Sequence, residues 1–441
     1  MGLTGLAIFK QLPKKNCKEC GVATCMAFAM ALAAGKASLD ACPYVTDEAK
    51  EALDSAAAPP IKTVKVGVGE KEVVLGDETV LFRHDKTFFH PTGLGFLVDD
   101  NDAELDAKID NIDGLQFDRV GQHYVVEFVT LNNASGDAAA FAAAAEKAAA
   151  KKAVILKADD PAVLSAALDK IAAEKPLIYA ATADNYEAIT EVAKKYEVPM
   201  AVYAEGLDAL EDLVNKIVAL GYKELVIDPG SRQTAQVLAD MTQIRRLAVK
   251  KTFRPFGYPT ITFTSEEDAL DEAIQAVAYV AKYCSIVVMK NAIKGYVLPI
   301  LSWRQNVFTD PQKPVAVEPK LMEIGAVTPD SPLYITTNFS LSYYSVEGEV
   351  EASRIPSYII PIDTDGTSVL TAWAAGKFGG EQIAAAMKAN DMDSKLNHKD
   401  VIIPGFVAVI AAKLKDETGW NVIVGPKEAS GISGFAKANF A

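Results

Sequence analysis

Short runs of β-branched and apolar residues alternate with amphipathic segments along most of this chain. Between about residues 60 and 310 there are eight such runs, separated by segments with apolar positions at helical spacing. The runs cover residues 79–82, 124–131, 153–157, 177–180, 200–203, 225–227, 260–263 and 286–289, and helical patterns are clear at 137–152, 160–174, 185–196 and 207–220. Because parallel strands need right-handed crossovers, this α/β alternation predicts a central (β/α)8 TIM barrel. An open doubly wound sheet is the alternative.

A proline-punctuated stretch from Pro311 to Pro332 separates the barrel from a final block with shorter strands. Strands are predicted there at 333–337, 358–362, 401–403 and 422–424, and helices at 368–377, 380–390 and 406–415. This pattern predicts a small open sheet of the Rossmann-like or flavodoxin-like kind. A small-residue and proline hinge at residues 56–60 ends the first block. We therefore predict three domains, at residues 1–57, 58–315 and 316–441.

Composition and charge narrow the class of protein. The chain has 441 residues, half of them apolar, and a net charge of −14. Strong negative charge argues against nucleic acid as a partner, because a phosphate backbone needs clustered Lys and Arg. No apolar run reaches the roughly 18 residues of a membrane helix, and no signal-peptide pattern is visible. We therefore expect a cytoplasmic protein with no membrane partner.

Four of the five cysteines lie within the first 42 residues, as Cys17-x2-Cys20-x4-Cys25-x16-Cys42-Pro43. A tight trio with one distant ligand can wrap a cubane iron–sulfur cluster, and a proline after the last cysteine also occurs in bacterial ferredoxin loops. Zinc is the alternative metal, although zinc sites usually come as paired Cys-x2-Cys knuckles. Cys284 stands alone and is interpreted as a small core residue.

These residues resemble a known family. Cys17-Lys18-Glu19-Cys20-Gly21-x3-Cys25-x2-Phe28, with Gly35-Lys36 and Cys42-Pro43, resembles a four-cysteine module of two protein classes. One is the large (gamma) subunit of the corrinoid iron–sulfur protein of the acetyl-CoA synthase/CO dehydrogenase (Wood–Ljungdahl) pathway, and the other is certain membrane electron-transport subunits. The chain has no further cysteine cluster, and its barrel and small α/β domain resemble the corrinoid protein over essentially the full length.

The loops predicted to follow the final strands are small, hydroxyl-rich, glycine-rich and almost uncharged. Backbone and hydroxyl groups of such loops can pair with the amides of a bulky neutral ligand such as a corrin, although ordinary turn chemistry is the alternative. No phosphate loop and no Gly-x-Gly-x2-Gly motif occurs. The candidate contacts are Thr337, Asn338, Ser342, Tyr343, Thr364, Gly366, Thr367, Ser368, Val369, Leu370, Thr371, Gly405, Gly425, Pro426, Ala429, Ser430, Gly431, Ile432 and Ser433.

The resemblance implies two cofactors. A [4Fe-4S] cluster would be held by Cys17, Cys20, Cys25 and Cys42, and cobalamin by the final domain. The chain lacks the Asp-x-His-x2-Gly signature that supplies a histidine to cobalt, so the cobalt should have no histidine ligand. The resemblance implies that the cofactor is also base-off. Thr371 is the candidate for the residue that faces the lower side of the cobalt.

The resemblance also implies a methyltransferase-type corrinoid protein that acts as a methyl carrier. Cobalt(I) would take a methyl group from methyltetrahydrofolate on a separate methyltransferase and deliver it to the nickel cluster of acetyl-CoA synthase. The iron–sulfur cluster would reactivate cobalt(II). A small subunit would complete a heterodimer. In this family the barrel is regarded as a scaffold, although Asp228 and Asn291 follow predicted strands where a barrel enzyme keeps catalytic groups.

Two alternatives remain open from the residues. An iron–sulfur electron-transfer subunit of a redox complex without corrin is the first. A barrel methyltransferase that binds folate itself is the second.

Overall fold

The computed structural model describes residues 5–33, 37, 41–46, 59–310 and 312–440. The chain divides into two compact units. The first comprises Met1–Leu81, Phe89–Asp113 and Val126–Tyr296, and the second Phe82–Phe88, Gly114–Val125 and Val297–Ala441. Most of the predicted hinge at residues 56–60 lies outside the described residues, so the three-domain division stays a prediction. Among the described helices, none is long and apolar enough to cross a bilayer.

The first unit contains a parallel barrel of eight strands. Seven neighbouring pairs are hydrogen-bonded in a parallel sheet. The two strands at the ends of this sheet meet at a parallel bridge between Ile227 and Thr260, which nearly closes the barrel. The strands in chain order are β3 (Gly93–Asp99), β6 (Phe128–Asn132), β7 (Ala153–Lys157), β8 (Leu177–Ala181), β9 (Met200–Tyr203), β10 (Leu225–Asp228), β11 (Ile261–Phe263) and β12 (Ile286–Met289). The predicted α/β class and central barrel are confirmed.

A hairpin contributes to the barrel core. β1 (Val64–Val66) and β2 (Val73–Leu75) pair antiparallel, and Val64, Val66 and Leu75 share one apolar cluster with inward-facing barrel residues such as Phe128 and Val226. The barrel interior is therefore packed with side chains, as in other barrels of this size.

Helices connect the barrel strands, and four of them lie where the sequence predicts them. Asp137, Asp160 and Asp268 each accept at least one hydrogen bond from a backbone N–H group of the turn that follows, so that each caps a helix. The connecting helices are Leu105–Asp113, Ala138–Ala149, Pro161–Ile171, Tyr186–Tyr196, Leu207–Ala219, Thr234–Lys251 and Ala269–Ala281. A further helix, Lys294–Phe308, follows the last strand.

The first predicted strand of the barrel was wrong, and the second had the wrong bounds. Residues 79–82 have no strand, and the first barrel strand is β3, which begins at Gly93. The predicted strand 124–131 is two strands, because β5 (Gln122–Val125) ends before β6 begins. β5 pairs with β4 (Gln116–Arg119) through a turn with positive φ at Val120 and Gly121, a hairpin within the second unit.

The second unit contains a five-stranded sheet in the order β13-β15-β14-β16-β17. Its strands are β13 (Met322–Ile324), β14 (Leu333–Thr337), β15 (Ser357–Ile362), β16 (Asp400–Ile403) and β17 (Asn421–Val424). The last four are parallel, and β13 is an antiparallel edge strand that the sequence analysis missed. Numbered among themselves, the parallel strands have the order 2-1-3-4, as in flavodoxin-like sheets.

Apolar side chains cover both faces of this sheet. Helices Gly380–Ala389 and Ala411–Thr418 contribute to one cluster, and helices Ser340–Ser353 and Ile432–Phe440 to the other. The helices that begin at Ser340 and Ile432 start within the loops that the sequence analysis predicted after the strands at 333–337 and 422–424. Both faces are thus closed by helices, which leaves the carboxyl ends of the strands as the accessible edge.

Candidate functional site

The N-terminal cysteines gather around one small apolar cluster. Cys25 begins the helix Cys25–Ala33, and it is 7% exposed. Cys42 is 6% exposed and packs in the same cluster with Phe28, while Cys20 is partly buried against it. Cys17 is exposed. Three of the four predicted ligands therefore share one environment, and the fourth lies on the surface.

The backbone around Cys17 has an unusual conformation. Lys14, Asn16 and Lys18 all have positive φ, at 57°, 48° and 70°. Asn16 accepts a hydrogen bond from the Cys25 N–H through its side chain, at 2.8 Å, and its own N–H donates to Cys25 Sγ at 3.4 Å. Alternating left-handed residues direct successive N–H groups into a concavity that binds anions, including iron–sulfur clusters.

This arrangement fits a thiolate-bound cluster better than four unrelated thiols. In the part of the chain that the structure describes, however, no three His, Cys, Asp or Glu side chains lie within metal-binding range. Ligation by Cys17, Cys20, Cys25 and Cys42 therefore stays a prediction. Cys284 is fully buried, and burial raises the pKa of its thiol, as expected for an inert core cysteine.

A cavity of about 350 Å³ lies in the second unit at the carboxyl edge of its sheet. Residues that follow each of the four parallel strands line it, so the structure brings together four segments far apart in the sequence. The lining residues are Tyr334, Ile335, Thr336, Phe339, Leu341, Ser342, Ser345, Val346, Ser368, Val369, Ile402, Ile403, Pro404, Gly425, Pro426, Lys427, Ala429 and Ile432.

Two residues that line this cavity carry buried hydroxyl groups with no hydrogen-bond partner. Tyr334 is 3% exposed and Thr336 is 1% exposed, and Tyr334 Oη and Thr336 Oγ1 are both unsatisfied. Burial raises the pKa of Tyr334 to about 12, so its hydroxyl is neutral and can donate. A buried polar group left unpaired costs roughly 1–3 kcal/mol, which a ligand with polar atoms would recover. The cavity is therefore suited to a ligand that is mainly apolar and carries a few hydrogen-bonding groups.

An apolar rim surrounds the same sheet edge. Five of its six members follow three of the parallel strands, the sixth ends the fourth strand, and each is between 43% and 72% exposed. They are Leu341, Leu370, Trp373, Phe406, Val409 and Val424. Exposed apolar residues grouped in this way mark a binding surface for a ligand or a protein.

The predicted contacts divide into two sets. The cavity is lined by Ser342, Ser368, Val369, Gly425, Pro426, Ala429 and Ile432. The structure places the others away from the lining: Thr337, Asn338, Tyr343, Thr364, Gly366, Thr367, Leu370, Thr371, Gly405, Ser430, Gly431 and Ser433. Leu370 belongs to the apolar rim. Thr371 is exposed and bonds to Ser368 at 3.1 Å, and its role below cobalt stays a prediction.

Asn338 connects two of the loops. Its side-chain oxygen accepts hydrogen bonds from the Thr364 N–H, the Thr364 hydroxyl and the Gly366 N–H, at 3.0, 3.1 and 3.1 Å. The Asn338 amide donates to Asp363 at 3.0 Å. A Cβ at Gly366 would lie 3.0 Å from the Pro314 carbonyl oxygen, and φ there is +69°. These residues fix the loop shape, which is the turn chemistry that the sequence left as an alternative.

His398 lies at the other end of its strand. Its Nε2 bonds to the Ser331 carbonyl oxygen at 3.0 Å, and its Nδ1 accepts the Asp400 N–H at 3.1 Å. Both ring nitrogens thus have backbone partners at the amino end of β16.

Polar groups at the carboxyl end of the barrel also have partners. Asp228, fully buried, receives two bonds from Arg232, at 2.9 and 3.0 Å, and one from the Tyr179 hydroxyl at 2.7 Å. The Arg232 guanidinium lies 5.2 Å from the centre of the Phe263 ring. Asn291 donates to Glu272 at 2.9 Å. Asp228 and Asn291 therefore have structural roles that account for their position.

Comparison with known proteins agrees with these observations. A family model for the CO dehydrogenase/acetyl-CoA synthase delta subunit matches residues 63–436, and an Fe-S cluster model matches residues 12–44. The corrinoid/iron-sulfur protein large subunit of Moorella thermoacetica is 59% identical, with 100% of both chains covered. The acetyl-CoA decarbonylase/synthase complex subunit gamma of Methanothermobacter thermautotrophicus is 33% identical, with 98% of each chain covered.

Among solved structures, the 7,8-dihydropteroate synthase of Vibrio fischeri ES114 superposes with a TM-score of 0.39 and 13% identity, over 56% of this chain and 99% of that one. A likeness at this level carries no argument about activity.

The two kinds of match name different subunits. The delta-subunit model covers residues 63–436 and leaves out the cysteine module, whereas the large and gamma subunits match along essentially the full length. Full-length identity is the stronger criterion, and the resemblance noted in the sequence is confirmed. The chain belongs to the family of corrinoid/iron-sulfur protein large subunits, which includes the gamma subunits of acetyl-CoA decarbonylase/synthase complexes.

Proposed function

We propose that this chain is the corrin-binding methyl carrier of acetyl-CoA synthesis and that its second unit holds the corrinoid. The observation that carries the proposal is the cavity with the unpaired hydroxyls of Tyr334 and Thr336. Further support comes from the apolar rim at the same sheet edge and from membership in a family named for its corrinoid.

The size of the cavity indicates that only part of a corrinoid can enter it. A cavity of about 350 Å³ suits a planar base on a flexible tail and is too small for a whole macrocycle. We place the detached base in the cavity, where Tyr334 and Thr336 can bond to its polar atoms. The macrocycle would then lie across the apolar rim, with Trp373 and Phe406 beneath its hydrocarbon edge. No histidine is needed in this arrangement, and His398 lies at the opposite end of its strand.

A corrinoid held by this chain would supply a cobalt centre for methyl transfer between methyltetrahydrofolate on a methyltransferase and the nickel cluster of acetyl-CoA synthase. The residues that line the cavity would bind and orient the group. Asn338 and Thr364 hold the loops in position through their mutual hydrogen bonds.

The N-terminal cysteines would hold a [4Fe-4S] cluster that supplies one electron when the cobalt has become oxidised. The partners that follow from this role are a small subunit, the methyltransferase and acetyl-CoA synthase. The relatives are named as a large subunit and as subunits of a complex, which supports the first and the last of these.

Removal of the unpaired hydroxyls tests the site. We expect Tyr334→Phe and Thr336→Val each to lower corrinoid retention several-fold, because a hydrogen bond to the base is lost while the shape is kept. Cobalt and iron should be counted per complex after anaerobic purification with the small subunit. Iron content should stay unchanged.

Thr262→Val is the matched control, since Thr262 is also a buried strand threonine with an unpaired hydroxyl but lies in the barrel. Equal cobalt loss in the control would contradict the cavity assignment. A wild-type complex with iron but no cobalt absorbance would favour the corrin-free electron-transfer subunit.

A further inference from the structure

Five inward-facing side chains at the carboxyl end of the barrel are reached by solvent. Alternate residues of a strand point to the same side, so these five face the barrel axis like the core residues of their own strands. A side chain on the axis of a closed barrel can be exposed only through an open end, and barrel enzymes bind their ligands at this end. We define as the barrel mouth the residues Asp99, which is exposed, and Asn132, Lys157, Tyr203 and Phe263, which are partly exposed.

Three residues of the mouth form a hydrogen-bonded ladder across neighbouring strands. Asp99 lies beside Asn132 in the register of β3 and β6, and Asn132 lies beside Lys157 in the register of β6 and β7. The Asn132 amide donates to Asp99 Oδ1 at 2.7 Å, and its oxygen accepts from the Lys157 ammonium at 2.8 Å. Within the described residues, Asp99 Oδ2 accepts no hydrogen bond and Lys157 uses one of its three donors. The ladder therefore has a spare acceptor at one end and spare donors at the other.

An aromatic wall lies opposite the ladder. β9 is four strands away from β3 in either direction around the barrel, so Tyr203 is opposite Asp99. β11 is likewise four strands away from β7, so Phe263 is opposite Lys157. The Arg232 guanidinium lies 5.8 Å from the centre of the Tyr203 ring and 5.2 Å from that of the Phe263 ring. Planar groups of this kind stack on the face of a flat ring.

A buried hydroxyl group lies beneath the ladder. Thr130 is one layer below Asn132 on β6, is 0% exposed, and has no hydrogen-bond partner for its Oγ1 atom. A Cβ at the inward-facing Gly95 of β3 would lie 3.4 Å from this oxygen, which places the hydroxyl on the axis side of the sheet. An unpaired buried hydroxyl destabilises the folded protein, and a ligand that supplies a partner removes this cost.

The charges at the mouth are balanced. Asp228 accepts two hydrogen bonds from Arg232, at 2.9 and 3.0 Å, and Lys290 forms an ion pair with Glu267. The two ends of the ladder also carry opposite charges. Among the described residues of the mouth, each cation thus has an acidic counterpart, so the site favours an uncharged ring over a phosphate or a carboxylate.

We propose that the barrel mouth binds a flat heterocycle with a 2-amino-4-oxopyrimidine ring, the chemistry that pterins and guanine share. The edge of this ring presents two adjacent N–H donors, which suit the Asp99 carboxylate, followed by a carbonyl oxygen, which suits the Lys157 ammonium. A strand spacing of about 4.8 Å separates the ends of the ladder by about 10 Å, and two hydrogen bonds of about 2.9 Å leave room for one ring edge. The ring faces would stack on the aromatic wall. The proposal concerns binding alone, and no covalent bond changes.

The test is equilibrium binding to the complex with the small subunit, purified without methyltransferase. In titration calorimetry we expect 6-methylpterin to bind at least ~10-fold more tightly than 6-methyllumazine, in which an oxygen replaces the 2-amino group and a donor to Asp99 is lost. Guanosine and inosine are the second pair, because they differ in the same amino group on a purine. The amino-substituted ring with the higher affinity identifies which of the two sources the mouth prefers.

Point variants test the two ends of the ladder separately. Asp99→Asn and Lys157→Met should each weaken binding of the preferred ring at least ~10-fold, with iron and cobalt per complex unchanged. Asp110→Asn and Lys170→Met make the same changes in charge at exposed positions of the outer barrel helices and should keep the wild-type affinity. Tyr334→Phe should also keep it, because Tyr334 belongs to the cavity of the second unit.

Three results would overturn the site. The first is no preference for the amino-substituted ring in either pair of probes. The second is wild-type affinity in either ladder variant. The third is loss of binding in Tyr334→Phe with normal binding in Asp99→Asn, which would place the ring in the cavity of the second unit. A complex with normal cobalt content that binds none of the probes would overturn the barrel site and leave the proposed methyl-carrier function intact.

Discussion

A single buried amide holds two loops of the second unit together. Asn338 is 4% exposed, and its side-chain oxygen accepts hydrogen bonds from three donors of the next loop. These donors include two backbone N–H groups that would otherwise be unpaired inside the protein. Asn338 therefore stabilises the shape of these loops.

We expect Asn338→Ala to lower the free energy of unfolding of the second unit by about 2–4 kcal/mol, because each buried group left unpaired costs roughly 1–3 kcal/mol. Urea denaturation of corrinoid-free protein measures this loss without any ligand. Asn421→Ala is the control, since Asn421 is exposed and should change stability by less than about 0.5 kcal/mol. A stable Asn338→Ala protein that fails only to bind corrinoid would instead make Asn338 a direct contact.

The residues that sequence analysis missed lie inside strands. Tyr334 and Thr336 occupy β14, where an aromatic and a β-branched residue simply fit a buried strand. Only the folded sheet shows that both residues line a cavity and that their hydroxyl groups have no hydrogen-bond partner. The glycine-rich and hydroxyl-rich loops were visible in the sequence, but the spacing of Thr364 and Gly366 could not show that Asn338 satisfies them.

At the scale of elements, two glycines explain why the sequence analysis missed the first strand of the barrel. Gly93 and Gly95 weaken the β pattern of residues 93–99, so the sequence favoured the β-branched run at 79–82. The structure shows why glycine is present. A Cβ at Gly93 would lie 2.5 Å from the Phe128 ring, and one at Gly95 would lie 2.9 Å from Phe128 Cβ. Most of the other barrel strands are short runs of apolar and β-branched residues, which is why the pattern identified them.

We expect Gly93→Ala to destabilise the barrel by about 1–3 kcal/mol, because the added methyl group collides with Phe128. Phe128→Leu removes the colliding ring edge. The double variant should therefore lose about 1 kcal/mol less free energy of unfolding than the two single variants lose together. Thermal unfolding of the four proteins completes the cycle. Gly295→Ala is the control, because a Cβ there has no atom within 4 Å. If the losses of unfolding free energy in the two single variants simply added in the double variant, the Phe128 ring would not be the reason for glycine at position 93.

At the scale of the whole molecule, the two candidate cofactor sites lie in different units. The cysteines belong to the first unit, and the cavity with Tyr334 belongs to the second. Cysteine spacing alone predicted the first site, because short intervals between soft ligands are rare by chance. The prediction of the second site depended on the convergence of four strands, which the order of elements could indicate but not measure. Because the two candidate sites lie in different units, we expect that each can be removed without loss of the other.

We expect Cys42→Ala to lose the proposed cluster and with it the reductive reactivation of oxidised corrinoid, because Cys42 is the predicted distant ligand that closes the site. Methyl transfer should persist when the cobalt has been reduced chemically beforehand, since the cavity is unchanged. Iron per complex, cobalt per complex and the two rates are the measurements. Cys284→Ala is the control: Cys284 is buried in the barrel, so the variant should keep both iron and reactivation. If Cys42→Ala abolished methyl transfer even with pre-reduced cobalt, the cluster would have a role in the transfer itself, and reactivation would not be its function.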